Sequence, residues 1–359
     1  TKELCGVLFR RFPEEPPKFK ISHIGMAHVV SSPIDRHIER ISDKSWLKLV
    51  TRMSTFPSNK NKENWEKGTD STPFMFARSL STAAKKEPVR FAALSRQFPS
   101  NVYSGFADAI IDAIASPEVP LPLTCEVLRW FCKNPSAQMA ILFAHILHKR
   151  AAENWPSDIL QDLIEIARCH ANPEPDSSPF HFGKSNAELS CDDLLLNSIN
   201  CARGCALNAI AALLWEHPKE AEQFKSVLKH SVEDENPAVL FSVLHCAVVW
   251  YNIDKIFSKS LFDRLLARDL RVFGARQAWD LLYLFHNTKS EFYAERLKIA
   301  MQSPIKDLKK YATEMAATLV IMGQWSLQEF VSLLFTEQQK DTICRQAVIH
   351  YQFDEARVY

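Results

Sequence analysis

The C-terminal half of the chain repeats its helix starts, and this repeat limits the possible folds more than any other feature. Predicted starts of the first helix in each unit fall near residues 203, 237, 271, 305 and 338. Their spacing is about 34 residues, and a second amphipathic stretch follows each first helix. Such a period is typical of an α-solenoid, in which neighbouring helix pairs bury the apolar faces that a single pair leaves exposed.

Composition and helix starts refine this prediction. The chain has 8 glycines among 359 residues, which favours helices over folds that need many glycine turns. The period equals that of tetratricopeptide repeats, but their W-x2-L-G-x2-Y pattern is absent, and starts such as Asn236-Pro237 are more like HEAT units. We therefore predict an all-α fold, an α-solenoid of HEAT-like helix pairs with the length of tetratricopeptide units, wound as a right-handed superhelix.

Breaks in the helical pattern divide the chain into four predicted segments. Residues 1–72 form an N-terminal linker with an irregular helical part, and residues 73–170 hold the first half of the helical repeats. Residues 171–193 are a long polar loop, and residues 194–359 hold the regular repeats. The chain begins with Thr1, so we expect a fragment of a longer protein.

Apolar helix faces predict the core. The nine cysteines are read as reduced thiols, which indicates a reducing, cytoplasmic compartment, and the most apolar stretch, residues 238–251, is too short to span a bilayer. Small residues recur on first helices, where helices approach closely. The cysteines placed on apolar faces are Cys125, Cys132, Cys246 and Cys344. The tryptophans assigned mainly to the core are Trp130, Trp155, Trp215, Trp250, Trp279 and Trp325.

Residues with catalytic or metal-binding chemistry do not form a recognised motif. Gly183-Lys184-Ser185 resembles the end of a Walker A loop, but Ser178 stands where its first glycine is needed. His145 and His148 share a helix face without an H-E-x-x-H pattern, so we interpret them as partners of the helix dipole. We predict no catalytic, cofactor or metal site in this chain.

Two cysteine alternatives stay open. Cys201 and Cys205 lie one helical turn apart, and zinc binding with Cys169, His170 or Cys191 competes with simple burial, which we favour. A helical enzyme using His145 or the Cys169-His170 pair is the other alternative. It requires cysteines and histidines to converge in one pocket, whereas we expect them to be scattered.

Two polar stretches supply the candidate partner-binding residues. Aromatic side chains in a long polar loop are placed to project from the array. For the lysines, a solvated loop is the competing interpretation. The candidates are Phe180, His181, Phe182 and Lys184 in one stretch, and Trp65 with Lys62 in the other.

Four phrases carry a resemblance to a known family. They are "ISDKSWLKLV", "AAKKEPVRFAALSRQFP", "NSINCARGCALNAIAALLW" and "SVEDENPAVLFSVLHCAVVWYNID", in this order from Ile41. Together they resemble the C-terminal helical sensor region of bacterial STAND/NACHT-type NTPases, the Avs-like antiviral ATPases. No Walker A or Walker B motif occurs here, so ATP and Mg²⁺ are implied only for an NTPase domain outside this chain.

The resemblance implies a non-enzymatic protein-recognition module. In such a protein the sensor binds a phage structural or packaging protein of the portal or terminase type and triggers oligomerisation of the full-length NTPase. The near balance of 43 basic and 42 acidic residues argues against a nucleic-acid partner. The alternative function is a general HEAT-type scaffold or adaptor unrelated to immunity.

Overall fold

The computed structural model describes residues 34–55, 73–99, 101–132, 136–175, 185–286, 290–333 and 335–351. Of these described residues, 78% are helical, in 17 α-helices and four short 3-10 helices, and none lies in a β-strand. The all-α part of the predicted fold class is therefore confirmed. None of these helices is long and apolar enough to cross a membrane.

The helices are numbered along the chain. The first half holds α1 (Asp43–Ser54), α2 (Pro73–Lys86), α3 (Pro88–Ser95), α4 (Ser104–Ile114), α5 (Leu121–Cys132), α6 (Ala137–Lys149) and α7 (Ser157–Cys169). The second half holds α8 (Cys191–Ser198), α9 (Ala202–Glu216), α10 (Lys225–Ser231), α11 (Pro237–Tyr251), α12 (Lys255–Arg268), α13 (Arg276–Phe285), α14 (Ser290–Met301), α15 (Lys306–Ile321), α16 (Leu327–Val331) and α17 (Glu337–Tyr351). The 3-10 helices are Asp35–Arg40, Asn186–Glu188, Pro218–Phe224 and Leu270–Gly274.

Local capping residues explain where several helices begin. The Ser42 hydroxyl accepts a hydrogen bond from the Ser45 N–H at the start of α1. The Asn236 side chain caps α11, with Pro237 in the first turn, and Asp254 accepts bonds from two backbone N–H groups of α12. The predicted starts near 203, 237, 305 and 338 lie within one residue of the starts of α9, α11, α15 and α17. The start predicted near 271 is a 3-10 helix, and α13 begins only at Arg276.

Most helices pack against the helix after next. Such contacts join α2 to α4, α3 to α5, α4 to α6, α5 to α7, α7 to α9, α9 to α11, α11 to α13 and α15 to α17. Side-chain bonds follow the same spacing: Arg129 donates to Asp158 at 2.8 Å, 29 residues away, and Arg203 donates to Asp234 at 2.8 Å, 31 residues away. This arrangement is compatible with an α-solenoid.

Helix α8 departs from this packing pattern. It packs on α11, α15 and the 3-10 helix Leu270–Gly274, while α9 packs on α6 and α7 instead. Asp307 of α15 accepts hydrogen bonds from the Cys191 and Asp192 N–H groups at 2.6 and 3.3 Å. The polar loop predicted over residues 171–193 was thus wrong at its C-terminal end, where a capping box built from Ser190 and Asp193 starts α8.

The core runs from α1 to α16 as one continuous apolar cluster. Trp250 is buried as predicted, but the assignments of Trp215 to the core and of Cys344 to an apolar face were wrong, because both side chains are exposed. Helical periodicity placed them near apolar neighbours, but no described helix covers them.

The turn at Glu233-Asp234-Glu235 bonds to the helices on both sides of it. Asp234 accepts two hydrogen bonds from Arg203, and both side chains are almost buried. Glu233 pairs with Arg264 and Arg268 of α12. This turn therefore joins neighbouring helix pairs rather than projecting into solvent.

Candidate binding sites

The partner-binding residues predicted from the two polar stretches lie outside the described residues. They are Phe180, His181, Phe182 and Lys184, and Trp65 and Lys62. Their roles stay predictions. Among the described residues, we consider a recurring set of exposed apolar side chains and the two larger cavities.

Large apolar side chains are exposed at each turn between paired helices in the C-terminal half. The end of α9 exposes Trp215 by 63%, and the start of α12 exposes Ile256 by 84%. The other members, at the ends of α13 and α15 and the start of α16, are Tyr283, Leu284, Met322 and Leu327. We call these six residues the turn-edge set. Sequence periodicity missed them because it does not show which apolar side chains a neighbour covers.

A groove of about 290 Å³ lies between α5, α6 and α7, and we call it the α5–α7 groove. Its floor is apolar and includes the buried Phe131, Met139 and Phe143. The carboxylates Asp162 and Glu165 of α7 stand at its side. The groove thus combines an apolar floor with negative charge.

Cys132, Cys169 and His170 also line the α5–α7 groove, so the expectation that cysteines and histidines are scattered was wrong for these three. Burial, with Asp162 nearby, raises the pKa of Cys132 to about 12. Burial and Glu165 raise the pKa of Cys169, and burial lowers the pKa of His170. The thiols are therefore protonated near neutral pH and poor nucleophiles, which favours binding over covalent chemistry here.

Three histidines contact α9, two of them at Asn208 and one at Cys205. His245 Nδ1 lies 2.8 Å from the Asn208 side-chain oxygen, and His148 Nδ1 lies 3.3 Å from its backbone oxygen. His145 Nε2 lies 3.8 Å from Cys205 Sγ. His145 and His148 of α6 therefore contact α9. They also lie in or near the last turn of α6, where the sequence predicts that they interact with the helix dipole. Burial raises the pKa of Cys205 to about 12.

The second cavity, of about 340 Å³, lies between the end of α13, α14 and the α15–α16 turn, and we call it the His286 pocket. His286 is only 1% exposed, and neither of its ring nitrogens has a hydrogen-bond partner. The buried Gln324 Oε1 atom is also without a partner. Burial lowers the pKa of His286, so its ring is neutral at pH 7.

The α15–α16 turn positions one wall of the His286 pocket. Gly323 has φ 69°, the left-handed conformation that ends a helix, and it is followed at once by Gln324 and Trp325. The N–H groups of both of those residues return to the Leu319 oxygen at 2.8 and 3.1 Å. The sequence "MGQW" indicates this helix end, because glycine is the usual residue at such a position.

The charged side chains of the His286 pocket are mainly acidic. Glu291, Glu295 and Glu329 line it, and the only basic side chain among its lining residues is Lys298. Lys298 is already paired with Glu329, and this pairing lowers the pKa of Glu329. The pocket therefore combines buried polar atoms without partners, which include the Gln324 Oε1 acceptor and the Trp325 Nε1 donor, with excess negative charge.

Metal ligands do not converge within the described ranges. There, no group of three or more histidine, cysteine, aspartate or glutamate side chains is placed to hold a metal ion. Cys201 and Cys205 are both buried, and burial raises the pKa of Cys201 to about 11.

Comparison with known proteins gives no further assignment. No family model, no curated protein and no solved structure matches this chain. The resemblance to the sensor region of STAND NTPases therefore stays a prediction.

Proposed function

We propose that this chain is a protein-recognition module that holds its partner along the turns between its helix pairs. The observation that carries the proposal is the turn-edge set, whose members recur at four successive turns. Single exposed apolar residues are ordinary on soluble proteins, but a recurring series on one kind of turn is not. In a stack of helix pairs these turns follow one another along one edge.

Trp215 is the best candidate for an anchor in this surface. Tryptophan is enriched among the residues that contribute most to protein–protein binding, because its large ring loses much water-exposed area on contact. With 63% of the residue exposed and no described helix over it, its burial would come from a partner rather than from the fold. The α5–α7 groove also supplies an apolar recess. It would fit an apolar side chain of the partner that is flanked by basic residues.

The specific form of the proposal is a sensor region of a bacterial STAND-type anti-phage NTPase in the cytoplasm. Its support is the order of the four phrases from Ile41 onward. The partner would be a phage portal or terminase protein, and binding would trigger oligomerisation of the full-length protein. ATP and Mg²⁺ would act in the NTPase domain and not in this chain.

Binding of the purified chain to purified portal and large terminase proteins tests the proposal by biolayer interferometry. We expect one of them to bind, and we expect Trp215→Ala to weaken that binding at least tenfold, an effect of about 1.4 kcal/mol or more. Phe74→Ala is a matched control, because Phe74 is 61% exposed but lies at the start of α2, outside the turn-edge set. Its affinity should be unchanged.

The scaffold alternative predicts a different result in the same assay. A host protein would bind the chain stoichiometrically, while the phage proteins would not. If Trp215→Ala and Phe74→Ala left the affinity of the true partner equally intact, the turn-edge set would not be the binding surface.

A further inference from the structure

The His286 pocket holds a buried side chain that the fold leaves without partners. Burying an imidazole away from water without hydrogen bonds is unfavourable, and apolar side chains of similar size avoid that cost. The described neighbours supply no bond to either ring nitrogen. A neutral imidazole has one acceptor nitrogen and one N–H donor, so a ligand that donates a hydrogen bond to the ring would satisfy its acceptor nitrogen, which the fold leaves without a partner.

Most of the other polar groups that line the pocket favour a cation that donates several hydrogen bonds, and the exception is Trp325 Nε1, a buried donor without a partner. Gln324 Oε1 is a second unpartnered acceptor. Glu291 and Glu295 form no ion pair with any described residue, and they lie on one face of α14 at the pocket. With Lys298 paired to Glu329, these two carboxylates leave the pocket negatively charged.

From this arrangement we propose that the His286 pocket binds a guanidinium group. A guanidinium carries five N–H donors in one plane, and it is more weakly hydrated than an ammonium. It enters a buried site at lower desolvation cost, donates to His286 and Gln324, and offsets the charge of Glu291 and Glu295. The cavity of about 340 Å³ is within the range of small-ligand sites.

The guanidinium has two possible sources, a free arginine-like metabolite and an arginine side chain of a peptide. Free L-arginine represents the first source, and N-acetyl-L-arginine amide represents the second. The inference stands apart from the protein-recognition proposal, because it uses none of the residues of the turn-edge set.

Isothermal titration calorimetry of the chain with both arginine probes tests the inference. We expect one-to-one binding of at least one probe, and the tighter probe identifies the source. The corresponding citrulline compounds replace the guanidinium by a neutral urea of nearly the same shape, and we expect them to bind at least tenfold more weakly. The lysine compounds should also bind more weakly than the arginine compounds.

Two variants link the binding to this pocket. His286→Leu replaces the unpartnered ring by an apolar side chain, so we expect an unchanged or higher melting temperature but at least a tenfold loss of affinity. Glu295→Gln removes one exposed carboxylate and should weaken binding several-fold. Glu118→Gln, at an exposed glutamate without an ion pair among the described residues, is the matched control and should bind like the parent chain.

Ring-nitrogen NMR signals of ¹⁵N-histidine-labelled protein give a second readout. The His286 signals, assigned by their loss in His286→Leu, should move on addition of the arginine probe and stay in place with citrulline. The inference is overturned if neither arginine probe binds, if arginine and citrulline bind equally, or if His286→Leu and Glu295→Gln both leave the affinity unchanged.

Discussion

At the residue scale, a few nearly buried charged side chains join neighbouring helix pairs. Arg203 donates two bonds to Asp234 and a third to the His170 oxygen at 2.6 Å. Arg150 is buried and donates to Thr124 at 2.7 Å and to the Val119 oxygen at 3.0 Å. These arginines fix the relative positions of consecutive units through directional bonds, whereas the apolar core alone fixes only their proximity.

Breaking the Arg203–Asp234 pair on one side should be costly. Asp234→Asn leaves a nearly buried guanidinium without its charge partner, and we expect a loss of about 2–4 kcal/mol of unfolding free energy. The adjacent Glu233→Gln is the control, because its pairs with Arg264 and Arg268 are exposed and should be worth less than about 1 kcal/mol. Urea unfolding measures both, and equal losses would contradict the importance of burial.

Acidification should destabilise the fold through four histidines whose pKa values are lowered in the folded chain. Burial lowers the pKa values of His145, His170, His245 and His286, with His148 adding repulsion at His145 and His245. The unfolded chain, with histidine pKa values near 6.5, then binds more protons than the folded chain as pH falls below about 6.5. Stability is therefore present above that pH and lost below it.

Thermal unfolding at pH 7.5 and pH 5.5 measures this effect. We expect a lower melting temperature at pH 5.5, and a smaller decrease for His286→Leu, which removes one of the four groups. A melting temperature that is the same at both pH values would contradict the lowered pKa values.

The sequence predicted mainly those residues whose interactions are local. The caps at Ser42 and Asn236 were predictable, because a cap bonds to its own first turn. The exposure of Trp215 was not, since periodicity shows the apolar face of a helix but not whether a neighbour reaches its end. His286 gave no signal either: its site needs α14 and the α15–α16 turn, which only the fold brings together.

At the element scale, α8 is held by a close backbone contact. A Cβ added to Gly274 would lie 2.2 Å from the Cys191 Cβ atom, so the 3-10 helix Leu270–Gly274 and the start of α8 fit only without that atom. Tyr311 donates to Asp192 at 2.9 Å, and Arg271 donates to the Leu189 oxygen at 3.2 Å. These contacts could not be read from the sequence, because they join elements more than 80 residues apart.

Substitution of Gly274 tests this docking. Gly274→Ala should destabilise the chain and raise amide hydrogen exchange in α8, measured by mass spectrometry. Adding Cys191→Gly removes the clashing atom and should restore much of the protection, whereas Cys191→Ala keeps that atom and should not. Equal exchange in Gly274→Ala and the parent chain would show that α8 is held by its other contacts.

At the scale of the whole molecule, most described helices pack on the helix after next, while the short helix α8 contacts α15 across the intervening helices. The spacing of the first helices was predictable from the repeated starts, and the all-helical class followed from it. The position of α8 was not predictable from the sequence. The polar residues 171–190 before it are typical of a loop, and its hydrogen-bond acceptor Asp307 lies 116 residues beyond Cys191. The third unit also departs from the regular pattern, since the 3-10 helix that receives α8 replaces the first turns of α13.

The bond from Cys191 to Asp307 has an evolutionary consequence. In repeat arrays each unit contacts only its neighbours, so a unit can be gained or lost without breaking contacts elsewhere. In this chain, α8 contacts α15 across the intervening helices, so removing or adding a helix pair between α9 and α15 would displace Asp307, the acceptor for α8. The number of helix pairs in this interval is therefore constrained by one short helix, and we expect changes in length to be confined to other parts of the chain.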